Sequence, residues 1–404
     1  MERLPLYSYR ILDLTIGWAG AYATRLLADM GAEVIKVEDA NNRGPMRSAM
    51  FNHVNRNKYG CTLDLAQPRG RELFLRLAAL SDVVVEDYRP QVAEELGLCY
   101  DALRSARADI ILVSLSSHGR TGPERDVVVD GSDIEVLGGL TAISGYVGGG
   151  PQRTQTRVAG TSYGEPIAGL AAAGAVALAL WHRRRAGEGQ HVDVAGWESM
   201  VGLIGEYVLG YSMNSRLPQP MGNRHPSMAP HGCYPCAGDD QWVTIAVEDD
   251  EQFAAFCRAM GRPELAANPR FADVVSRYRN QGDLDGIVAV RTRGLTPQAA
   301  TEALRAEGVA AAPVLGAPAL FDDPHLRARG FWESVSHPEA GTWDVDGVPW
   351  HLNRSPAHIR LPAPRFGEHD DYVLPGLLGL SEDEVRELAA AGIVGERPGP
   401  AVHP

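Results

Sequence analysis

The chain has 404 residues, 45% of them hydrophobic, and a formal net charge of -13. That length exceeds what one hydrophobic core usually holds, so two domains are expected. The negative charge argues against a nucleic-acid or membrane-surface protein, but leaves room for an anionic ligand in a locally basic pocket. The 44 Gly and 27 Pro follow no period, which excludes collagen-like and low-complexity chains. Cys61, Cys99, Cys233, Cys236 and Cys257 are odd in number and no secretory signal precedes the first strand. Free thiols and a cytoplasmic location are expected.

Strand and helix signals alternate over the first 120 residues. Arg10–Leu14 reads as a buried strand, Ala21–Met30 as a helix closed by Gly31, and Glu33–Glu38 as the next strand. Pro68–Leu80 has helical spacing with Pro at its start. Asp82–Glu86 and Asp109–Val113 are further short β-branched runs. This alternation predicts an α/β fold, a parallel sheet with helices on its faces. From Gly119 to Thr161 the chain reads as loops with short elements. A long helix is predicted from about Pro166 to Arg184. Its apolar part, Ile167–Trp181, is too short for a membrane span of ~20 residues. His191–Val194 reads as a strand and Trp197–Tyr211 as a second long helix. Asn214–Pro235 reads as a linker into a smaller domain. That domain begins with a strand over Trp242–Val247 and continues through helices near Glu251–Met260 and Pro297–Glu307. The predicted domain ranges are 1–213, 214–312 and 313–404, the last returning to the first domain. Ser381 and Glu384 form a capping-box pattern before a final amphipathic helix.

No Walker A, G-x-G-x-x-G, H-E-x-x-H or G-x-S-x-G motif is present, so P-loop, dinucleotide, zincin and serine-hydrolase readings lack their usual support. Cys233-Tyr234-Pro235-Cys236 has no second ligand pair for zinc and reads as two loop cysteines. No metal is indicated. Gly148-Gly149-Gly150-Pro151 is a phosphate-turn candidate, but a lone glycine cluster favours an ordinary loop. Glu165 lies at the mouth of the long helix, where the dipole and unpaired N–H groups favour a charged carboxylate. An ordinary helix-start acid has the same appearance. Lys36, Arg43, Arg47, Arg56, Lys58 and Arg89 concentrate early, several on loops that would follow strands and so face the ligand crevice of an open parallel sheet. Solvated surface charge is the competing reading for each.

The ordered segments carry a resemblance. Asp13-Leu14-Thr15, Trp18-Ala19-Gly20 and Leu27 to Glu38 come first, followed by Asn55-Arg56-Asn57-Lys58 and Asp82 to Pro90. Ser114 to Gly119, Glu165-Pro166-Ile167-Ala168-Gly169 and Gly187 to Val194 continue it. Gly222 to Pro226, Asp323 to Leu326 and Gly367 to Asp370 complete the set. Together they resemble class III (CaiB/BaiF-type) CoA-transferases over essentially the whole chain. The resemblance implies a large Rossmann-like domain, a smaller α/β domain, and an interlocked homodimer with the acyl-CoA site at the domain and subunit interface. The implied reaction moves CoA between an acyl-CoA and a small carboxylic acid through an enzyme-bound anhydride and thioester. Nearby backbone N–H groups would stabilise the oxyanion. It implies Glu165 as nucleophile and Gly17, Trp18, Lys58, Asp87, Tyr88 and Arg89 as coenzyme A contacts.

Three departures accompany it. The family nucleophile is an Asp four residues before the helix glycine, and counting back from Gly169 gives Glu165, one methylene longer. Asp39 and Glu95 stand where relatives place phosphate-binding arginines. The related racemases carry a His near Gly131-Ser132-Asp133; here Ser132 takes its place, and His118 is the nearest histidine. Transferase therefore ranks above racemase, since two-base proton transfer would lack a partner. A divergent acyl-transfer enzyme and a non-catalytic subunit stay open as alternatives.

Overall fold

Six short strands form one sheet: β1 (Arg10–Asp13), β2 (Glu33–Glu38), β3 (Lys58–Thr62), β4 (Val83–Glu86), β5 (Ile111–Ser116) and β6 (His191–Ala195). The computed structural model describes residues 4–40, 48–127, 129, 131–146 and 162–395. The strand order is β3-β2-β1-β4-β5-β6. Every neighbouring pair is parallel. Helices cover both faces, so central strands such as Val83–Val85 are apolar throughout and fully buried.

The helices of this region are α1 (Trp18–Asp29), α2 (Ala49–Asn55), α3 (Pro68–Ala79), α4 (Pro90–Glu95), α5 (Tyr100–Ala106), α6 (Gly131–Leu137), α7 (Leu140–Ile143), α8 (Gly164–Ala186), α9 (Gly196–Leu203) and α10 (Gly205–Asn214). Alternate strand residues point to opposite faces. Leu12, Val84 and Leu112 pack with Leu73, Leu77 and Leu103 of α3 and α5. Ile11, Val83 and Val113 pack with Ala23, Ala172 and Val176 of α1 and α8. By length and composition α8 could cross a membrane. Instead its Ala168, Ala172, Val176, Ala179 and Leu180 are buried in the core on the sheet.

The chain forms two compact units. The larger takes the described residues up to 141, from 162 to 217 and from 328 onward; the smaller takes 142–146 and 218–327. In the smaller unit β7 (His231–Pro235), β8 (Trp242–Ala246) and β9 (Ala310–Pro313) form an antiparallel sheet in that order. It is backed by α11 (Asp250–Ala259), α12 (Val274–Arg279), α13 (Gln281–Thr292) and α14 (Pro297–Ala306). Phe253, Phe256 and Phe271 centre its core. In the larger unit, β10 (Trp332–His337) and β11 (Gly341–Asp346) make a hairpin. The capping box at Ser381 and Glu384 forms in both directions.

Several elements differ from expectation. α1 starts at Trp18, three residues before Ala21, so Trp18 is helical. The single helix expected over Trp197–Tyr211 is broken at Ile204, whose φ/ψ of -101°/25° leaves the helical well. β7 lies inside the expected linker, so Cys233 is a strand residue paired with Thr244 and not a loop cysteine. β3 and α2 gave too little periodicity to be predicted.

A buried ion cluster ties the first strands together. Lys58 Nζ donates to Asp13 Oδ2 at 2.8 Å, to Ala21 O at 2.9 Å and to Asn55 Oδ1 at 2.9 Å. Thr15 and Thr24 hydroxyls also donate to Asp13, at 2.6 and 2.8 Å. Lys36 Nζ lies 3.9 Å away. Burial alone would raise the Asp13 carboxyl, but Lys36 and Lys58 pull it well below the ordinary carboxylate range. Lys58→Met removes the closest cation and the charge-assisted hydrogen bond, and leaves Asp13 with Lys36 at 3.9 Å. Equilibrium denaturation of this variant is expected to show a loss of about 3–5 kcal/mol.

Candidate active site

In a sheet of this order the strand sequence reverses between β1 and β4, and the loops leaving their carboxyl ends open a crevice. After β1 the chain runs through Thr15, Ile16 and Gly17 into α1; after β4 it runs through Asp87, Tyr88 and Arg89 into α4. Asp87 joins the two loops. Its Oδ1 accepts from Ile16 N at 2.7 Å and its Oδ2 from Gly17 N at 2.9 Å. Burial raises its pKa to about 7, against the lowering effect of those two bonds. Gly20, in the first turn of α1, has no room for a side chain. A Cβ there would lie 2.4 Å from Thr15 Cγ2 and 3.0 Å from Asp87 Oδ2.

α8 brings the second wall. It crosses α1 at Gly169, where a Cβ would stand 2.5 Å from the Ala19 carbonyl oxygen. Glu165 lies one turn earlier, in the first turn of this 23-residue helix. There the positive end of the helix dipole favours a charged carboxylate. α6 holds the start of α8. Glu135, 1% exposed, accepts from Ser162 Oγ at 2.9 Å, from Gly164 N at 3.3 Å and from Tyr163 N. Ser162 Oγ also donates to Gly131 O at 2.7 Å.

Two cavities meet at Glu165. One, of about 300 Å³, is also lined by Gly17, Asp87, Arg89, His118, Arg125 and Gly131. The other, of about 330 Å³, is lined by Trp18, Lys36, Asp39, Met50, Phe51 and Val54 among others. Ile16, Gly17 and Tyr88 border both. Basic groups thus line the first cavity and apolar side chains much of the second. The His118 side chain is 4% exposed, sits edge-on to Trp197 at 5.3 Å and lies 3.8 Å from Glu124. Its Nδ1 has no hydrogen-bond partner among the described residues, nor has Trp18 Nε1.

Of the expected site residues, Glu165, Gly17, Trp18, Asp87, Tyr88 and Arg89 gather around these cavities. Lys58 does not. It is fully buried, and its ammonium is consumed by Asp13, Asn55 and the Ala21 carbonyl, so it cannot reach a phosphate. Arg56 is likewise buried, its Nη2 2.9 Å from Asp29 Oδ2. The Ile16 and Gly17 N–H groups, available in principle to an oxyanion, are already bound by Asp87. Asp39 borders the second cavity, whereas Glu95 is exposed on α4 beside Gln91. Arg43, Arg47, the side chain of Ser132 and the Gly148–Pro151 cluster lie outside the described residues. Among the described residues, no three His, Cys, Asp or Glu side chains gather as a metal would require. Sequence reasoning missed Gly131 and Glu135. The available signal was a lone acid between Ile134 and Val136, which calls for a buried partner.

Residues 6–370 match CoA-transferase family III. The chain is 34% identical to the succinyl-CoA–D-citramalate CoA-transferase of Chloroflexus aurantiacus, over 96% of this chain and 98% of that protein. It is 31% identical to the succinyl-CoA–L-malate CoA-transferase beta subunit of the same organism, over 97% of this chain and 98% of that one. A solved CAIB/BAIF family protein from Brucella suis superposes with a TM-score of 0.84 at 28% identity, covering 93% of this chain and 100% of its own. The match spans both compact units and the loops and helix that carry Gly17, Asp87 and Glu165: the chain belongs to CoA-transferase family III.

Proposed function

We propose that this enzyme moves CoA between a short dicarboxylic acyl-CoA and a small free dicarboxylate, with Glu165 as covalent nucleophile. The observation that carries this reading is the place of Glu165, in the first turn of a long helix and shared by a basic and a more apolar cavity. The relatives named for succinyl-CoA with citramalate or malate support the substrate class. Arg89 and Arg125 provide positive charge, and His118 a ring nitrogen, for carboxylates beside the nucleophile.

In this reading the Glu165 carboxylate attacks the thioester carbonyl and expels CoA thiolate, leaving a mixed anhydride. The thiolate attacks the Glu165 carbonyl and releases the donor acid, giving a glutamyl-CoA thioester. The acceptor carboxylate attacks that thioester and expels the thiolate again. Thiolate attack on the acceptor carbonyl then yields the new acyl-CoA and restores Glu165. One difficult exchange is divided into four acyl transfers without external reagents. The Trp18 indole N–H, buried on the cavity beside Glu165 and without a partner among the described residues, is available to a carbonyl oxygen of the bound thioester.

Two copies of the chain are proposed to associate. α10 has no buried residue and exposes Leu209, Tyr211 and Met213. α8 exposes Leu178 and Trp181. Such a surface favours an apolar partner face. A cytoplasmic site of action fits five free cysteines.

Incubation with succinyl-CoA and citramalate, malate or other dicarboxylates, followed by mass spectrometry, tests the reaction. Wild type is expected to exchange CoA and to trap a CoA adduct on the peptide carrying Glu165. Glu165→Gln is expected to lose the adduct and roughly 1,000-fold or more of the rate. Retained exchange by that variant would remove Glu165 from the mechanism. Sedimentation should give twice the mass of one chain, and a monomer at working concentration would exclude the proposed association.

A pH effect also follows. Ionised Asp87 accepts the Ile16 and Gly17 N–H bonds most strongly, protonation of either oxygen weakens the pair, and its pKa is about 7. Protonation on the acid side therefore loosens the loop bordering Glu165. The wild-type kcat/KM is expected to fall as pH drops through 7, and this limb should vanish in Asp87→Asn. A limb unchanged in that variant would assign it to another group.

A further inference from the structure

Gly131 has no conformational need to be glycine. Its backbone lies outside the left-handed region and it opens a helix. What it lacks room for is a side chain. The three atoms nearest a Cβ built at 131 all belong to Glu165: Oε1 at 2.1 Å, Cγ at 2.4 Å and Cδ at 2.6 Å. The Glu165 side chain thus occupies the volume that any other residue at 131 would fill. Separations this short require a shift, and the group that can shift is the Glu165 arm, which would swing toward one of the cavities it borders.

The notch is also held in register. Glu135 lies one turn beyond Gly131 on α6 and accepts from the Ser162 hydroxyl and the Tyr163 and Gly164 amides. Ser162 donates in turn to the Gly131 carbonyl. The start of α8 is therefore fastened to the same turn of α6 that provides the notch. Gly164 completes the fit, because a Cβ there would be 2.9 Å from Gly131 O.

We propose that Gly131 is a positioning residue for the reaction: its missing side chain makes the notch that seats the glutamate arm and fixes where the carboxylate meets the thioester. Glu135 holds the notch against α8. This rests on the reading of Glu165 as nucleophile. A side chain at 131 would displace the carboxylate by an ångström or more, and a misplacement of about 1 Å costs about 100-fold in rate.

The test compares Gly131→Ala, Glu165→Ala and the double variant in full-length protein, by CoA exchange and by thermal melting. Gly131→Ala is expected to lower kcat about 100-fold. Its KM for succinyl-CoA should stay within about threefold of wild type, because one methyl group at the cavity wall leaves Arg89, Arg125 and the second cavity in place while it moves the nucleophile. It should also lower the melting temperature in the Glu165 background, but not in the Glu165→Ala background. With the arm gone, alanine in a helix is normally more stable than glycine. If Gly131→Ala fails to fold, recovery of a folded double variant supports the fit, and failure of the double variant overturns it. An inactive Glu165→Ala beside a Gly131→Ala that exchanges within threefold of wild type would overturn the positioning role alone. Equal melting losses in both backgrounds would do the same. Wild-type exchange by Glu165→Ala would instead overturn the nucleophile on which the inference rests.

Discussion

A carboxylate removed from water stays charged only if its partners are fixed around it, and Asp13 sits under that constraint at the end of the first strand. Its partners come from β3, α1 and the β1–α1 loop, so satisfying one side chain sets the relative positions of all three. Thr15 is held by its backbone N–H as well as its hydroxyl. The next two residues, Ile16 and Gly17, are then handed to Asp87. The floor of the crevice is thus a relay of two acids. Asp13 is held ionised by lysines, whereas burial pushes Asp87 toward its neutral form and the two amides pull it back toward the charged one.

The remaining wall depends on absent atoms. Gly169 lets α8 approach α1, Gly20 lets α1 approach the loop beneath it, and Gly164 lets α8 approach α6. None of these positions has a positive φ. They are glycines of contact, not of turn. Each lets backbone of one element meet its neighbour without an intervening side chain, which fixes the walls beside Glu165 more closely than packed side chains would.

The sheet was legible because a parallel sheet covered on both faces writes itself as short apolar β-branched runs between helices, as at Val83–Val85 and Ile111–Val113. The mouth of α8 was legible from Gly164-Glu165-Pro166, since proline suits a first helical turn. Lys58 was not. Its residue type suggests a phosphate contact, and only the tertiary placement of Asp13 and Asn55 shows its charge to be internal. The pairing of Gly131 with Glu165 was also invisible, because 34 positions separate them and neither breaks a local pattern. The split between α9 and α10 escaped because apolar spacing runs through Ile204 while the backbone does not.

The edge of the sheet at β3 is closed by the last part of the chain. His369 Nδ1 accepts from Gly60 N, Asp370 accepts from the Thr62 amide and hydroxyl, and Asp64 N donates to Ile393 O. During synthesis that edge emerges some three hundred residues before the groups that cover it. At ~5–20 residues per second it waits tens of seconds with open backbone donors, the condition under which sheet edges recruit other chains. A nascent chain of this kind has reason to depend on the cell's holding factors, and a copy truncated before residue 369 would present a permanently adhesive edge to its neighbours.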